Sequence, residues 1–90
     1  MGGTVVRKQY ERCLRSIFCR WIRNTRAELE ISQEEMAAKL YMSRRSYADL
    51  ESGVSCCGTL TLTVFLTEIC EDPERFLEEV RERMRRECPE

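Results

Sequence analysis

The sequence predicts an all-α fold of five helices, and three observations support this prediction. No proline or glycine occurs between residues 4 and 52. Apolar residues recur at steps of three and four, which is the spacing of one helix face. Residues that commonly begin helices, Ser32, Ser43 and Asp72, stand at three places where a new apolar face starts.

Length and composition indicate a single compact domain. The chain has 90 residues, of which 42% are apolar and 34% are charged, with four glycines and two prolines. We predict one domain over residues 1–90, with a core at about 18–77, an N-terminal helical extension at 5–17 and a C-terminal helix at 73–88. No apolar run approaches the roughly 20 residues that cross a bilayer, and no apolar stretch follows the N-terminal charges. We therefore expect a cytoplasmic protein without membrane contact.

The first helix is predicted over residues 6–29. A continuous apolar stripe at helical spacing defines it, and most of its arginines fall off that stripe. The stripe consists of Val6, Tyr10, Leu14, Ile17, Phe18, Trp21, Thr25 and Leu29.

The second helix is predicted over residues 33–40. Ser32 followed by Glu35 three positions later is a capping box, which marks a helix start at Gln33. The inward face consists of Met36, Ala37 and Leu40.

The third helix is predicted over residues 44–52. Ser43 caps its start, Tyr47 and Leu50 face the core, and Gly53 can take the left-handed conformation that ends a helix. Two short helices joined by about three residues have the spacing of a helix-turn-helix.

The fourth and fifth helices follow. Residues 59–64 alternate polar and β-branched side chains, which favours a strand, but a lone strand has no partner for its backbone. We predict a helix there instead, with Leu62, Phe65, Leu66 and Ile69 on one face. Pro73 then begins a fifth helix to about Cys88. Its packed side consists of Phe76, Leu77, Val80 and Met84, and its predicted ion pairs are Glu79–Arg83 and Glu82–Arg86.

The residue types exclude several functions. The chain has no histidine, no glycine-rich phosphate loop and no clustered carboxylates, so we expect no enzyme, cofactor, metal site or small-molecule substrate. Six cysteines without paired C-x2-C spacing favour ordinary thiols over a disulfide scaffold or zinc site. The two halves of the chain differ in charge. Residues 1–45 contain ten basic and five acidic residues, whereas residues 46–90 contain five basic and eleven acidic residues. A surface for a polyanion is therefore expected in the first half.

The segment IRNTRAELEISQEEMAAKLYMSRRSYADLESG resembles the lambda repressor and Cro-like, or Xre-type, helix-turn-helix family. S-Q-E-E-x-A, S-x-x-S and L-E-x-G stand at that family's spacings. The resemblance covers about residues 18–77 and implies a five-helix bundle, here with an extended first helix, whose third helix enters the major groove of DNA. It implies Arg44, Arg45, Ser46 and Asp49 near base edges, Gln33 on a phosphate, and a structural ion pair between Arg26 and Glu51.

Elementary chemistry agrees with the arginine assignment. Side chains on the first turn of a recognition helix project into the groove, where arginine can bind guanine O6 and N7 together. The sequence departs from the family at the end of the first helix, where Glu30 replaces a common glycine, and in the turn before the third helix, where Tyr41 does. A left-handed conformation at Tyr41 would cost about 1–2 kcal/mol, which favours an altered turn. The loop at 54–59 also lacks the basic residues that the family often places there.

Our leading hypothesis is a sequence-specific transcriptional regulator that binds double-stranded DNA as a homodimer on a palindromic operator. The alternative is a degenerate helix-turn-helix that binds a partner protein, such as a toxin, without strong DNA binding. A third hypothesis is thiol sensing through Cys56 and Cys57.

Overall fold

The computed structural model describes the backbone of residues 2–87 and the side chains of residues 7–87. Its helices are α1 (Gly2–Leu29), α2 (Gln33–Lys39), α3 (Arg44–Ser52), α4 (Thr59–Val64) and α5 (Pro73–Glu87). A π-helical turn over Phe65–Ile69 continues α4. Residues 2–87 contain no strand, which confirms the all-α, five-helix prediction. The predicted end of the fifth helix at Cys88 lies outside the described residues.

Local capping explains where α2 and α3 begin and end. Ser32 Oγ accepts from the backbone N–H of Glu35 at 3.1 Å, and Glu35 Oε1 accepts from the N–H of Ser32 at 3.0 Å. Ser43 Oγ accepts from the N–H of Ser46 at 3.1 Å, and Gly53 ends α3 with φ 82°. These bonds satisfy backbone groups that a helix end leaves unpaired, and they confirm the predicted starts of both helices.

One apolar core joins the five helices. Three phenylalanines from α1, the π turn and α5 meet edge to face, with ring centroids 5.3 Å apart for Phe18 and Phe65, 6.2 Å for Phe18 and Phe76, and 6.0 Å for Phe65 and Phe76. The other buried members are Ile17, Ile22, Met36, Ala37, Leu40, Tyr47, Leu50 and Val64. No described helix is both long enough and apolar enough to cross a membrane.

Helices α1 and α5 pack antiparallel. Trp21 Nε1 donates to Glu79 Oε1 at 2.9 Å, and Cys13 Sγ donates to Glu87 Oε1 at 3.4 Å. The C-terminal end of α5 therefore lies beside the middle of α1, at Cys13. The part of α1 before Cys13 consequently extends past Glu87, the last described residue of α5.

Several predicted details of α1 and α5 were wrong. The α1 helix begins four residues before the predicted start, and its stripe omitted Cys13 and Ile22, which are buried because α1 is covered by both α3 and α5. Leu77 is 52% exposed because α5 contacts the core along a narrow face centred on Phe76.

The two predicted ion pairs within α5 are absent from the described side chains. Arg20 and Trp21 of α1 bond the carboxylate of Glu79 instead, and Arg83 Nε donates to Glu87 Oε2 at 2.5 Å.

Candidate functional site

The turn between α2 and α3 contains a residue in a strained backbone conformation. Tyr41 has φ 58°, in the left-handed region that glycine prefers, and Glu30 after α1 has φ 56°. The N–H of Tyr41 donates to Ala38 O at 3.1 Å, and the N–H of Met42 donates to Ala37 O at 3.0 Å. These bonds close α2 and direct the chain into α3, as glycine would at this position.

The predicted base-reading residues lie at the start of α3. Arg44 and Arg45 are exposed, and neither has a hydrogen bond or ion pair within the described part of the chain. Ser46 is exposed and its Oγ accepts from Ser43 Oγ at 3.1 Å, whereas Asp49, one turn later, is half-buried. Because residues three and four apart share a helix face, Arg45, Ser46 and Asp49 lie on one side of α3.

The loop after α3 borders the same side. Ser46 and Asp49 line an open groove of about 230 Å³ together with Ser55, Cys56, Thr61, Met42, Leu50 and Gly58. Burial raises the pKa of the neighbouring Cys57 thiol to about 12, so that thiol is protonated at neutral pH. No group of three or more possible metal ligands occurs among the residues that the structure describes.

Gln33, the predicted phosphate ligand, is the first residue of α2 and is half-buried. Its Nε2 donates to Glu51 Oε1 at 2.8 Å, which ties the amide to the last turn of α3. The structure therefore connects Gln33 to the carboxylate that the sequence analysis had paired only with Arg26.

Glu51 accepts hydrogen bonds from three helices. Arg26 of α1 approaches with two nitrogens, Nε at 2.5 Å from Oε2 and Nη2 at 3.2 Å from Oε1. Tyr47 Oη donates to Oε2 at 2.6 Å. Glu51 is only 7% exposed, so this network lies inside the protein and fixes α1, α2 and α3 relative to one another.

The network changes the acidity of its members. Burial by itself raises the pKa of Glu51, but hydrogen bonds from Arg26, Tyr47 and Gln33 outweigh it and lower that pKa to about 2. Burial is the main reason that the pKa of Tyr47 is raised, and the nearby Glu51 carboxylate adds to the effect. Glu51 is therefore a carboxylate, and Tyr47 a neutral donor, across the physiological pH range.

Two members of this network were not anticipated. Tyr47 stands four residues before Glu51 on the same helix, and this spacing could have indicated the hydroxyl–carboxylate bond. The sequence contains no comparable signal for Gln33, because its contact with Glu51 depends on how α2 packs against α3.

Similarity to known proteins covers the segment from the end of α1 to the loop after α3. A protein-family model described as a helix-turn-helix matches residues 22–58. The matched segment starts within α1 and includes α2, the strained turn, α3 and the loop that follows it. No curated protein and no solved structure matches the chain.

Proposed function

We propose that this protein regulates transcription by binding a specific sequence of duplex DNA, because residues 22–58 match a helix-turn-helix family model and resemble the lambda repressor-like, Xre-type regulators. The observation that carries the proposal is the exposure of Arg44 and Arg45 on the first turn of α3. Neither side chain has an ion pair within the described residues, so both can bind an external ligand without breaking an internal contact.

The proposed contacts follow from groove chemistry. Arg44 and Arg45 bind guanine O6 and N7, each worth about 1–3 kcal/mol of discrimination against another base. Ser46 contacts a base edge or phosphate, and Asp49 accepts a hydrogen bond from cytosine N4. Gln33 binds a phosphate oxygen while Glu51 holds its amide. The protein then acts by occupying a promoter, and the bound site contains G·C pairs opposite α3.

The test is selection of bound sites from random duplexes, followed by binding measurements with Arg44→Ala/Arg45→Ala. We expect the double variant to bind the selected site at least tenfold more weakly and to lose most of its preference over an unrelated duplex. Arg75→Ala/Arg86→Ala is the matched control, since both arginines are exposed on α5 and lie on the opposite side of that helix from Leu77. Equal loss in the two variants, or no bound duplex at all, would contradict the proposal.

We also propose that the protein binds as a homodimer on two half-sites about one DNA turn apart. One helix-turn-helix contacts few base pairs, and a two-fold dimer doubles that number. Leu77 on α5 and Tyr10 on α1 are exposed apolar side chains that can supply the subunit contact. Val6, one turn before Tyr10 on the apolar stripe of α1, is a third candidate for this contact, and its side chain lies outside the described residues.

A second candidate function is binding of a partner protein through the same face. The loop after α3 has no lysine or arginine, and Val54 in that loop and Leu60 at the start of α4 are exposed. Salt dependence separates the two candidates. DNA binding releases condensed counterions, and this release becomes less favourable as the salt concentration rises, whereas contact through apolar side chains does not weaken in this way.

A further inference from the structure

The first half of α1 carries a row of cations whose side chains have no partner among the described residues. Lys8, Arg12 and Arg15 stand at positions i, i+4 and i+7, so they share one face of the helix. Lys8 and Arg12 are exposed and Arg15 is half-buried. None of the three has an ion pair or hydrogen bond among the described residues, and Glu11 forms no ion pair with Arg15. We call these three residues the basic row.

The basic row continues the face of α1 that packs against the end of α3. Cys19, four residues after Arg15, has its Sγ 3.7 Å from the position that a Cβ on Gly53 would occupy. Arg23, four residues later, donates from Nη1 to the backbone oxygen of Glu51 at 3.2 Å. The same face therefore contacts the last turn of α3 and then extends past it, one to three turns toward the N-terminus, as the basic row.

The basic row lies near a loop after α3 that has no basic residues of its own. Residues 54–59 include no lysine or arginine, although phosphate contacts supply most of the affinity of DNA-binding proteins. Lys8 and Arg15 are separated by about 10 Å along the helix axis, a distance over which duplex DNA presents roughly six phosphate charges.

We propose that the basic row is a second DNA contact, which binds the phosphate backbone next to the site read by α3. The inference rests on the proposed DNA binding and adds an element outside the helix-turn-helix segment. Phosphate contacts carry no sequence information, so the basic row strengthens binding to every duplex equally. Discrimination between sequences stays with Arg44 and Arg45.

The experiment compares two triple variants of the full chain. Lys8→Gln/Arg12→Gln/Arg15→Gln removes the basic row, and Arg75→Gln/Arg83→Gln/Arg86→Gln removes three charges from the sides of α5 that do not carry Leu77. Binding to the selected site and to an unrelated duplex is measured by fluorescence anisotropy over a range of salt concentrations. Circular dichroism verifies that both variants are folded.

We expect the slope of log K against log salt to become shallower by about 2–3 when the basic row is removed, since each lost phosphate contact contributes about 0.9. The change should be equal for both duplexes, the ratio of their affinities should stay within twofold, and the α5 variant should keep the native slope. Lys8→Arg/Arg12→Lys/Arg15→Lys should restore the slope, because it keeps the charges.

An unchanged slope in the basic-row variant overturns the inference. If Arg44→Ala/Arg45→Ala still abolishes sequence preference in that case, the proposed function survives and only the second contact is lost. If the native chain binds no duplex, or binds phosphatidylserine vesicles through these cations instead of DNA, both proposals fail.

Discussion

Tyr41 combines an unfavourable backbone conformation with little packing of its side chain. Its φ is 58°, and its side chain is 77% exposed. A left-handed conformation costs about 1–2 kcal/mol for a residue that has a Cβ, and a side chain as exposed as that of Tyr41 gains too little from packing to offset this cost. Tyr41 therefore lowers the stability of the helix-turn-helix.

Tyr41→Gly should raise the free energy of unfolding by about 1 kcal/mol, since the relief of strain exceeds the added entropy of the unfolded chain. Urea denaturation measures the change. Gly53→Ala is the opposite control, because Gly53 has φ 82° and alanine there should cost about 1 kcal/mol. The new Cβ would lie at ordinary contact distance from Cys19, so that cost is conformational. Changes of the same sign in both variants would contradict this explanation.

Glu51 makes stability depend on pH in the acid range. Its folded pKa of about 2 lies below the ordinary 4.5, so its stabilising effect is complete above about pH 5 and is lost as the pH falls toward 2. The shift corresponds to about 3 kcal/mol at neutral pH. Glu51→Gln has no such titration. Urea denaturation at several pH values should therefore show the two proteins converging in stability between pH 5 and pH 2, and a constant difference would exclude the assigned role.

At the scale of the helix, α4 shows how tertiary packing alters a local pattern. Its end, at Val64 and Phe65, packs into the core. The helix continues there as a π turn, with the N–H of Cys70 donating to Phe65 O at 2.7 Å, five residues apart. The helix itself was predictable, because no partner strand exists. The π turn, with its extra residue, was not predictable, since six residues of sequence do not distinguish α-helical from π-helical spacing.

The other elements also separate into features set by nearby residues, which the sequence predicts, and features set by packing between helices, which it does not. The starts of α2 and α3 followed from Ser32 and Ser43, because capping involves residues only three apart. The exposure of Leu77 and the bonds of Gln33 and Glu79 depend on which helices meet, and sequence periodicity does not contain that information. For the candidate site, exposure of Arg44 and Arg45 agreed with the pattern, whereas the attachment of Gln33 to the buried carboxylate required the structure.

Glu79 connects α5 to α1 and should matter more than an ordinary surface acid. Glu79→Ala leaves Trp21 Nε1 without its acceptor and Arg20 without its ion pair, and we expect a loss of about 1–2 kcal/mol in urea denaturation. Glu79→Gln keeps an acceptor for Trp21 and should lose less than 1 kcal/mol. Arg83→Ala breaks only the exposed pair with Glu87 and serves as the control, with a loss below about 0.5 kcal/mol. Three equal losses would show that Glu79 has no bridging role.

At the scale of the whole molecule, the shape is elongated, with extents of 41 × 25 × 18 Å. The 28-residue α1 is the longest element and is covered by α5 along only part of its length. Exposed apolar side chains remain on α1 and α5, and the proposed homodimer uses these two helices, while Arg44 and Arg45 are on α3.

For the proposed homodimer, sedimentation should show two chains on a palindromic duplex. Leu77→Glu should weaken dimer formation at least tenfold, because it places a charge in an apolar contact. Leu60→Glu is the matched control, since Leu60 is another exposed leucine and lies on α4, outside the proposed contact. A native protein that is monomeric both alone and on DNA would rule out this assembly.

The contact between Trp21 and Glu79 has a practical consequence. Trp21 is the single indole in the chain, half-buried at the boundary of α1 and α5, with its ring 5.4 Å from and nearly perpendicular to that of Phe76. Its intrinsic fluorescence therefore reports whether these two helices remain together. Separation of α5 would shift the emission to longer wavelength, while rearrangement around Arg44 would leave the spectrum unchanged. Trp21 fluorescence can therefore detect the separation of α5 from α1 without an added label.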